Sequence, residues 1–223
     1  MKSLVRALWI GFCLLLLTAT TNAQMGMRGG PPSFHGVWNP VVGAGATYEM
    51  QNASGEKHSM EIAIVGKETI EGKVGYWFEI TTASPHSGGE MVMKTLIVAD
   101  GSDTTVMKMI MQMAGRPPMD MSAQMAHNPH SRQPVDIRDK ADDVGSETVT
   151  VPAGTFVCEH YRMKDGSGDT WVSPKVGVYG MVKHQGKDST MVLTKVITDA
   201  KDKITGTPQP FDPSQMMRQP PQQ

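Results

Sequence analysis

Six methionines in two neighbouring stretches are the first residues with chemistry to offer. Met107, Met109, Met111 and Met113 recur at period two, which in a strand puts all four side chains on one face. Met91 and Met93 form a matching pair one segment earlier. Thioether side chains are unbranched and polarizable, so such a face suits a hydrophobic ligand of variable shape. It equally suits an ordinary core with Met as filler, and the residues alone leave both readings open. A second chemistry is soft-metal binding: Met119, Met121, Met125, His127 and His130 gather thioether and imidazole donors of the kind that hold Cu(I). Cys158 and His160 place a thiol and an imidazole on one strand face, about 6.5–7 Å apart at Cα. No third group orients them, so Cys158 reads as a buried, inert thiol. Asp142 and Asp143 read as solvated acids in a polar connection, and no Gly-rich segment has a phosphate-cradle spacing. Without a catalytic constellation the chain is expected to be non-catalytic, and no cofactor is implied.

The elements that must position these residues are strands. Thr47–Asn52, Ser59–Val65, Lys73–Thr82, Glu90–Val98 and Thr104–Met113 alternate apolar and polar residues, with turn residues between them. A reversal is expected across residues 66–72. The links are too short for helical crossovers, so the segments predict an antiparallel meander. Residues 114–136, broken by Pro117, Pro118, Pro129 and Pro134, predict a long loop or lid with at most one short helix near residues 120–126. The meander resumes with Glu147–Val151, Phe156–Lys164, Thr170–Ser173, Met181–Gln185 and Ser189–Thr198, around an irregular corner at 174–180. The fold class is mainly β, with few or no helices beyond a lid.

Residues 1–23 have the three parts of a cleavable export signal: Lys2 and Arg6, an apolar run from Ala7 to Leu17, and Thr21-Asn22-Ala23 before the cut. The run is too short to span a bilayer, which takes about 20 apolar residues. A periplasmic or secreted protein without a transmembrane segment is expected. Residues 24–36 read as a flexible Gly/Pro leader, 37–200 as one β-rich domain, and 201–223 as a disordered Pro/Gln tail. Removing Lys2 and Arg6 from the 21 basic residues leaves 19 against 22 acidic, a balance that gives nucleic acid no footing. Cys158 alone outlasts signal removal, so no intramolecular disulfide is available and stability must come from core burial.

Val151-Pro152-Ala153-Gly154-Thr155-Phe156, followed by Cys158 and His160-Tyr161, forms one half of a longer pattern. Asp169-Thr170-Trp171-Val172-Ser173 and Val178-Tyr179-Gly180-Met181-Val182-Lys183 form the other. From Glu147 to Thr198 these residues resemble exported domains related to the periplasmic lipoprotein carriers LolA and LolB. The resemblance implies one strongly curved antiparallel sheet, a half-open barrel whose concave side holds a hydrophobic ligand under a helical lid. Two features depart from those carriers: there is no opening amphipathic helix, and the signal lacks a lipobox. The function expected is an exported binding module holding a lipid or lipoprotein acyl chain against Met91, Met93, Met107, Met109, Met111 and Met113. The alternatives are a copper-binding protein and a structural or protein-interaction domain.

Overall fold

The computed structural model describes residues 36–84, 89–100, 103–125, 132–134 and 136–212. The export signal, the leader up to residue 35, and the tail from 213 lie outside them, as do His127 and His130. Among the described residues there are thirteen strands: β1 Gly45–Asn52, β2 Lys57–Ile70, β3 Lys73–Ser84, β4 Gly89–Asp100, β5 Asp103–Met113, β6 Met119–Asp120, β7 Arg132–Pro134, β8 Ala141–Val151, β9 Gly154–Met163, β10 Gly168–Val172, β11 Met181–Gly186, β12 Ser189–Ile197 and β13 Gln209–Pro210. All join one sheet in the order β13-β6-β5-β4-β3-β2-β1-β12-β11-β10-β9-β8, with β7 paired to β5. Every pairing is antiparallel except β13 with β6. The sheet is not closed, and β8 lies on one edge. It curls far enough for the Ala153 N–H, in the β8–β9 turn, to donate to the Leu193 carbonyl of β12 at 3.3 Å.

Strand β1 lies between β2 and β12, so two meanders, β1–β5 and β8–β12, meet along the β1–β12 pairing. Alternation fills their common face. Ala46, Tyr48, Met60, Ile62, Ile64, Phe78, Ile80, Ile97 and Leu193 form the main core with Phe156, Cys158, Val176, Val178 and Val182. A second cluster gathers Ile137, Ala141, Tyr161, Met163 and Val172.

The expected reversal at 66–72 is narrower than the sequence suggests. Strand β2 runs through Gly66 to Ile70, with Val65 as an extra residue between Ile64, opposite Phe78, and Gly66, opposite Trp77. The turn itself is Glu71-Gly72, with φ of 51° and 76°. Two positive φ values in a two-residue hairpin loop match the twist of the flanking strands. Asp142 and Asp143 are not in a connection but on the edge strand β8, whose pairing with β9 slips at Val144. Part of the expected lid is strand: β6 and β7 both pair with β5, and the helix between them, α1 Ser122–Met125, is a single turn.

The ordered chain also runs past Ala200. Residues 200–212 cross the back of β2–β5 as a strap. The Ala200 N–H donates to the Gly43 carbonyl (2.9 Å), Lys203 pairs with Glu61 (2.8 Å), and Lys94 pairs with Asp202. Thr205 N–H donates to Gln112 (2.9 Å), and β13 then pairs with β6. This stretch is polar and reads as a tail because its stability comes from partners far away in sequence.

Candidate ligand cavity

The six methionines do not act as one uniform face. Pairing sets Met91 opposite Met113, Met93 opposite Met111, and Thr95 opposite Met109. Leu96 then faces Lys108 and Ile97 faces Val106, which leaves Met107 as the extra residue of a bulge. Past the bulge the alternation reverses, and Val106 takes the place on that face that the period assigned to Met107. Met109 and Met111 are buried, and Met91, Met93, Met107 and Met113 are half-buried. Met93 and Val106 pack on the main core. Met119, from the copper set, is buried opposite Met111, and Met121 donates its N–H to the Met109 carbonyl at 2.8 Å.

Cys158 and His160 are not joined by a hydrogen bond. The Cys158 thiol points to the Phe156 carbonyl at 3.7 Å, and burial pushes its pKa up to about 11. His160 is held between two carboxylates, Asp169 at 2.7 Å and Glu147 at 3.2 Å, and stacks on Trp171 at 4.5 Å. Lys183 covers the far side of that indole. Arg162 also reaches Asp169 at 3.1 Å, so the ladder resembles a structural network on a sheet surface.

A cavity of about 330 Å³ lies elsewhere, lined by none of the six methionines. Its first wall is the short segment before β1. Val37 N–H donates to the Tyr179 carbonyl (2.9 Å) and Asn39 N–H to that of Val178 (2.7 Å). Gly36 precedes them so tightly that a Cβ there would sit 2.2 Å from the Tyr179 carbonyl oxygen. The segment fixes Trp38, whose ring meets Phe78 edge-on at 6.0 Å and Tyr179 at 5.1 Å. The ring is thus well packed. Its Nε1, however, is buried with no acceptor among the described residues.

The second wall is the corner between β10 and β11. Ser173 N–H donates to Gly180 (2.7 Å), and Val176 N–H donates to Ser173 (3.1 Å). Val178 sits at φ 69°, a left-handed conformation that costs a β-branched residue on the order of 1–3 kcal/mol. Gly180, at φ 70°, lies so close to Val172 that an added Cβ would come within 2.8 Å of it. This strained corner holds Val172, Ser173, Pro174 and Val176 around the cavity.

Arg138 and Glu159 complete the lining. Arg138 lies in the 3-10 turn Ile137–Asp139, capped by Asp136. Asp136 takes both the Arg138 backbone N–H (2.9 Å) and its guanidinium, which holds the Asp136 carboxyl below the usual range. Glu159, on β9, accepts the Tyr161 hydroxyl at 2.6 Å. The cavity therefore lies at the seam of the two apolar clusters: Trp38 and Val176 belong to one, Val37 and Val172 to the other. Its residues come from four separate stretches, and no spacing in the sequence links them. The only local signal is the run of turn residues at 174–180.

No family model and no curated protein matches the chain. Among solved structures, a presumed lipoprotein from Parabacteroides distasonis is 15% identical, with a TM-score of 0.36, over 74% of this chain and 100% of its own. A presumed exported protein with a YmcC-like fold from Bacteroides fragilis is 14% identical, with a TM-score of 0.34, over 73% of this chain and 99% of its own. At these TM-scores neither likeness bears on what this chain binds. Its place outside the cytoplasm follows from its own export signal, Lys2 and Arg6 ahead of the apolar run to Leu17.

Proposed function

We propose that the mature chain is an exported, non-catalytic module that holds a hydrophobic ligand, a lipid or another apolar molecule, in the cavity beside Trp38. The observation that carries this reading is a cavity of ligand size, about 330 Å³, walled by Val37, Trp38, Val172 and Val176. Small-molecule sites are mostly apolar clefts of roughly 300–1,000 Å³ with a few placed polar groups. The strained Val178 corner points the same way, since strained backbone concentrates at ligand clamps. The resemblance of residues 147–198 to the lipoprotein-carrier relatives supports an apolar ligand. The burial of Met109, Met111 and Met119 favours a packing role for those three, so the binding surface moves from the methionine face to the seam.

Native mass spectrometry of the protein purified from its own envelope tests the reading. The parent should carry a co-purifying apolar molecule. Asn39→Trp, a change at an exposed lining residue that plugs the cavity, should lose it. A parent that arrives without any bound mass, or a variant that retains it, would rule the cavity out as the site.

A further inference from the structure

Thioether and imidazole groups that are far apart in sequence share one row of the sheet. Met50 of β1 lies opposite His58 of β2 on one side and Met191 of β12 on the other, and Met191 lies opposite His184 of β11. Residues directly opposite in antiparallel pairs project to the same face, with Cβ atoms about 4.5–5.5 Å apart. His58, Met50, Met191 and His184 therefore stand side by side across four strands. The row beneath them, Met60, Tyr48 and Leu193, is fully buried and closes the core. The upper row is half-buried, and its methionines pack on that core from above.

His184 is set up as a metal ligand. Its Nδ1 lies 2.8 Å from the hydroxyl of Thr170, its opposite on β10, which is fully buried. With Thr170 accepting, the ring proton sits on Nδ1 and Nε2 carries the lone pair, the arrangement that a hydrogen bond behind a ligating imidazole imposes. A Cβ at Gly186 would come within 3.2 Å of Nε2, so glycine there makes room for the ring. His58, at the other end of the row, turns its Nε2 to Glu56 at 3.5 Å and stays outside the set. The strands β1, β12 and β11 span about 10 Å, which two long thioether chains can bridge toward one imidazole. Two thioethers with one imidazole form a soft donor set that suits Cu(I), not the oxygen-seeking Mg²⁺ or Ca²⁺. Cys158, a stronger soft ligand, is buried in the core.

We infer that Met50, Met191 and His184 Nε2 form a site for Cu(I) on the sheet surface. None of the three lines the cavity beside Trp38, so this activity is separate from ligand binding there. It also differs from the Met119, Met121 and Met125 set that the sequence suggested, because only strand register brings these residues together.

The mature protein, given Cu(I) without oxygen in competition with bicinchoninate, should bind one ion. Met50→Leu/Met191→Leu keeps the apolar volume but removes both sulfurs, and should weaken binding at least tenfold, as should His184→Gln. Met119→Leu/Met121→Leu should bind as the parent does. A second measurement uses the parent itself, with ¹³C-methyl methionine and Ag(I), a diamagnetic ion with the same preference for thioethers. The methyl signals of Met50 and Met191, each assigned by its loss in the single Leu variant, should move together during the first equivalent and ahead of every other methionine. That spectrum decides the question even where the double variant fails to fold. A parent that takes no Cu(I) from the competitor, a folded double variant that binds as tightly as the parent, a Met119→Leu/Met121→Leu variant that loses the ion, or Ag(I) that moves other methyls first overturns the inference. Each of those results leaves the cavity reading standing.

Discussion

Among single residues, Glu79 is the one whose surroundings most oppose its charge. It is 2% exposed on the back of β3, opposite Lys94 in the pairing with β4 and beneath the strap. The Lys203 N–H donates to it at 3.2 Å, Asp202 lies beside it, and Glu61 pairs with the Lys203 side chain. Burial, with repulsion from Asp202, pushes its pKa up to about 7. The native state therefore holds a proton that the unfolded chain has released between pH about 4.5 and 7. Stability falls as pH rises through that window and levels off above it. Asp136 and Glu68 are held low by Arg138 and Lys108, so their effect lies at more acid pH, where their stabilisation is lost as pH falls. In Glu79→Gln the decline between pH 5 and 7 should disappear, and the variant should be the more stable protein at pH 8 by on the order of 2 kcal/mol. Urea denaturation at pH 5, 6, 7 and 8 measures this. A parent curve that rises from pH 5 to 7 would contradict it.

At the scale of elements, the strap is the addition that most changes the sheet. It caps the back of β2–β5 through the Lys94–Asp202 and Lys203–Glu61 pairs, the Gln112–Thr205 hydrogen bonds, and the β13–β6 pairing. Partly exposed ion pairs contribute at most about 1 kcal/mol each, so most of the effect comes from the backbone hydrogen bonds of Ala200 to Gly43, Gln209 to Pro118 and Phe211 to Asp120. Ending the chain at Ala200 should cost roughly 2–4 kcal/mol, and at about 2–4 °C per kcal/mol for a domain of this size it should lower Tm by several degrees. It should also abolish the pH 5–7 slope, because Glu79 then faces solvent; a truncated protein that keeps the slope would assign it to another group.

The strands were largely legible beforehand, because period-two alternation and Gly, Pro and Asp turns are local signals. The strap was not, because a polar segment rich in Lys, Asp and Thr carries no sign of the partners that order it. Nor were the bulges at Val65, Met107 and Val144. No residue type marks them, and at Met107 one extra residue reverses the face of the chain beyond it. The cavity was hidden for a third reason: Trp38, Arg138, Glu159 and Ser173 are neighbours only because the sheet curls.

For the whole molecule, the decisive contact is the pairing of β1 with β12, which joins the two meanders into one sheet. Tyr48 of β1 faces Leu193 of β12, both fully buried, and the Tyr48 hydroxyl crosses to the Met181 carbonyl at 2.9 Å. Neither meander buries its inner face alone, since the main core draws Ile62, Ile64 and Phe78 from one and Phe156, Val182 and Leu193 from the other. The two apolar clusters do not make two unfolding units, because Val172, in the second, follows Trp171, which packs on the first, within β10. The chain should therefore unfold in one step. Trp77 reports on the first meander and Trp171 on the second, so variants retaining one or the other, with Phe at the remaining indoles, read each half separately. Leu193→Ala should destabilise the fold by about 2–5 kcal/mol through the cavity it leaves. The urea midpoints seen by Trp77 and by Trp171 should fall together by the same amount. Midpoints that separate, with the Trp171 half melting first, would show that the seam beside Trp38 divides two independently stable parts.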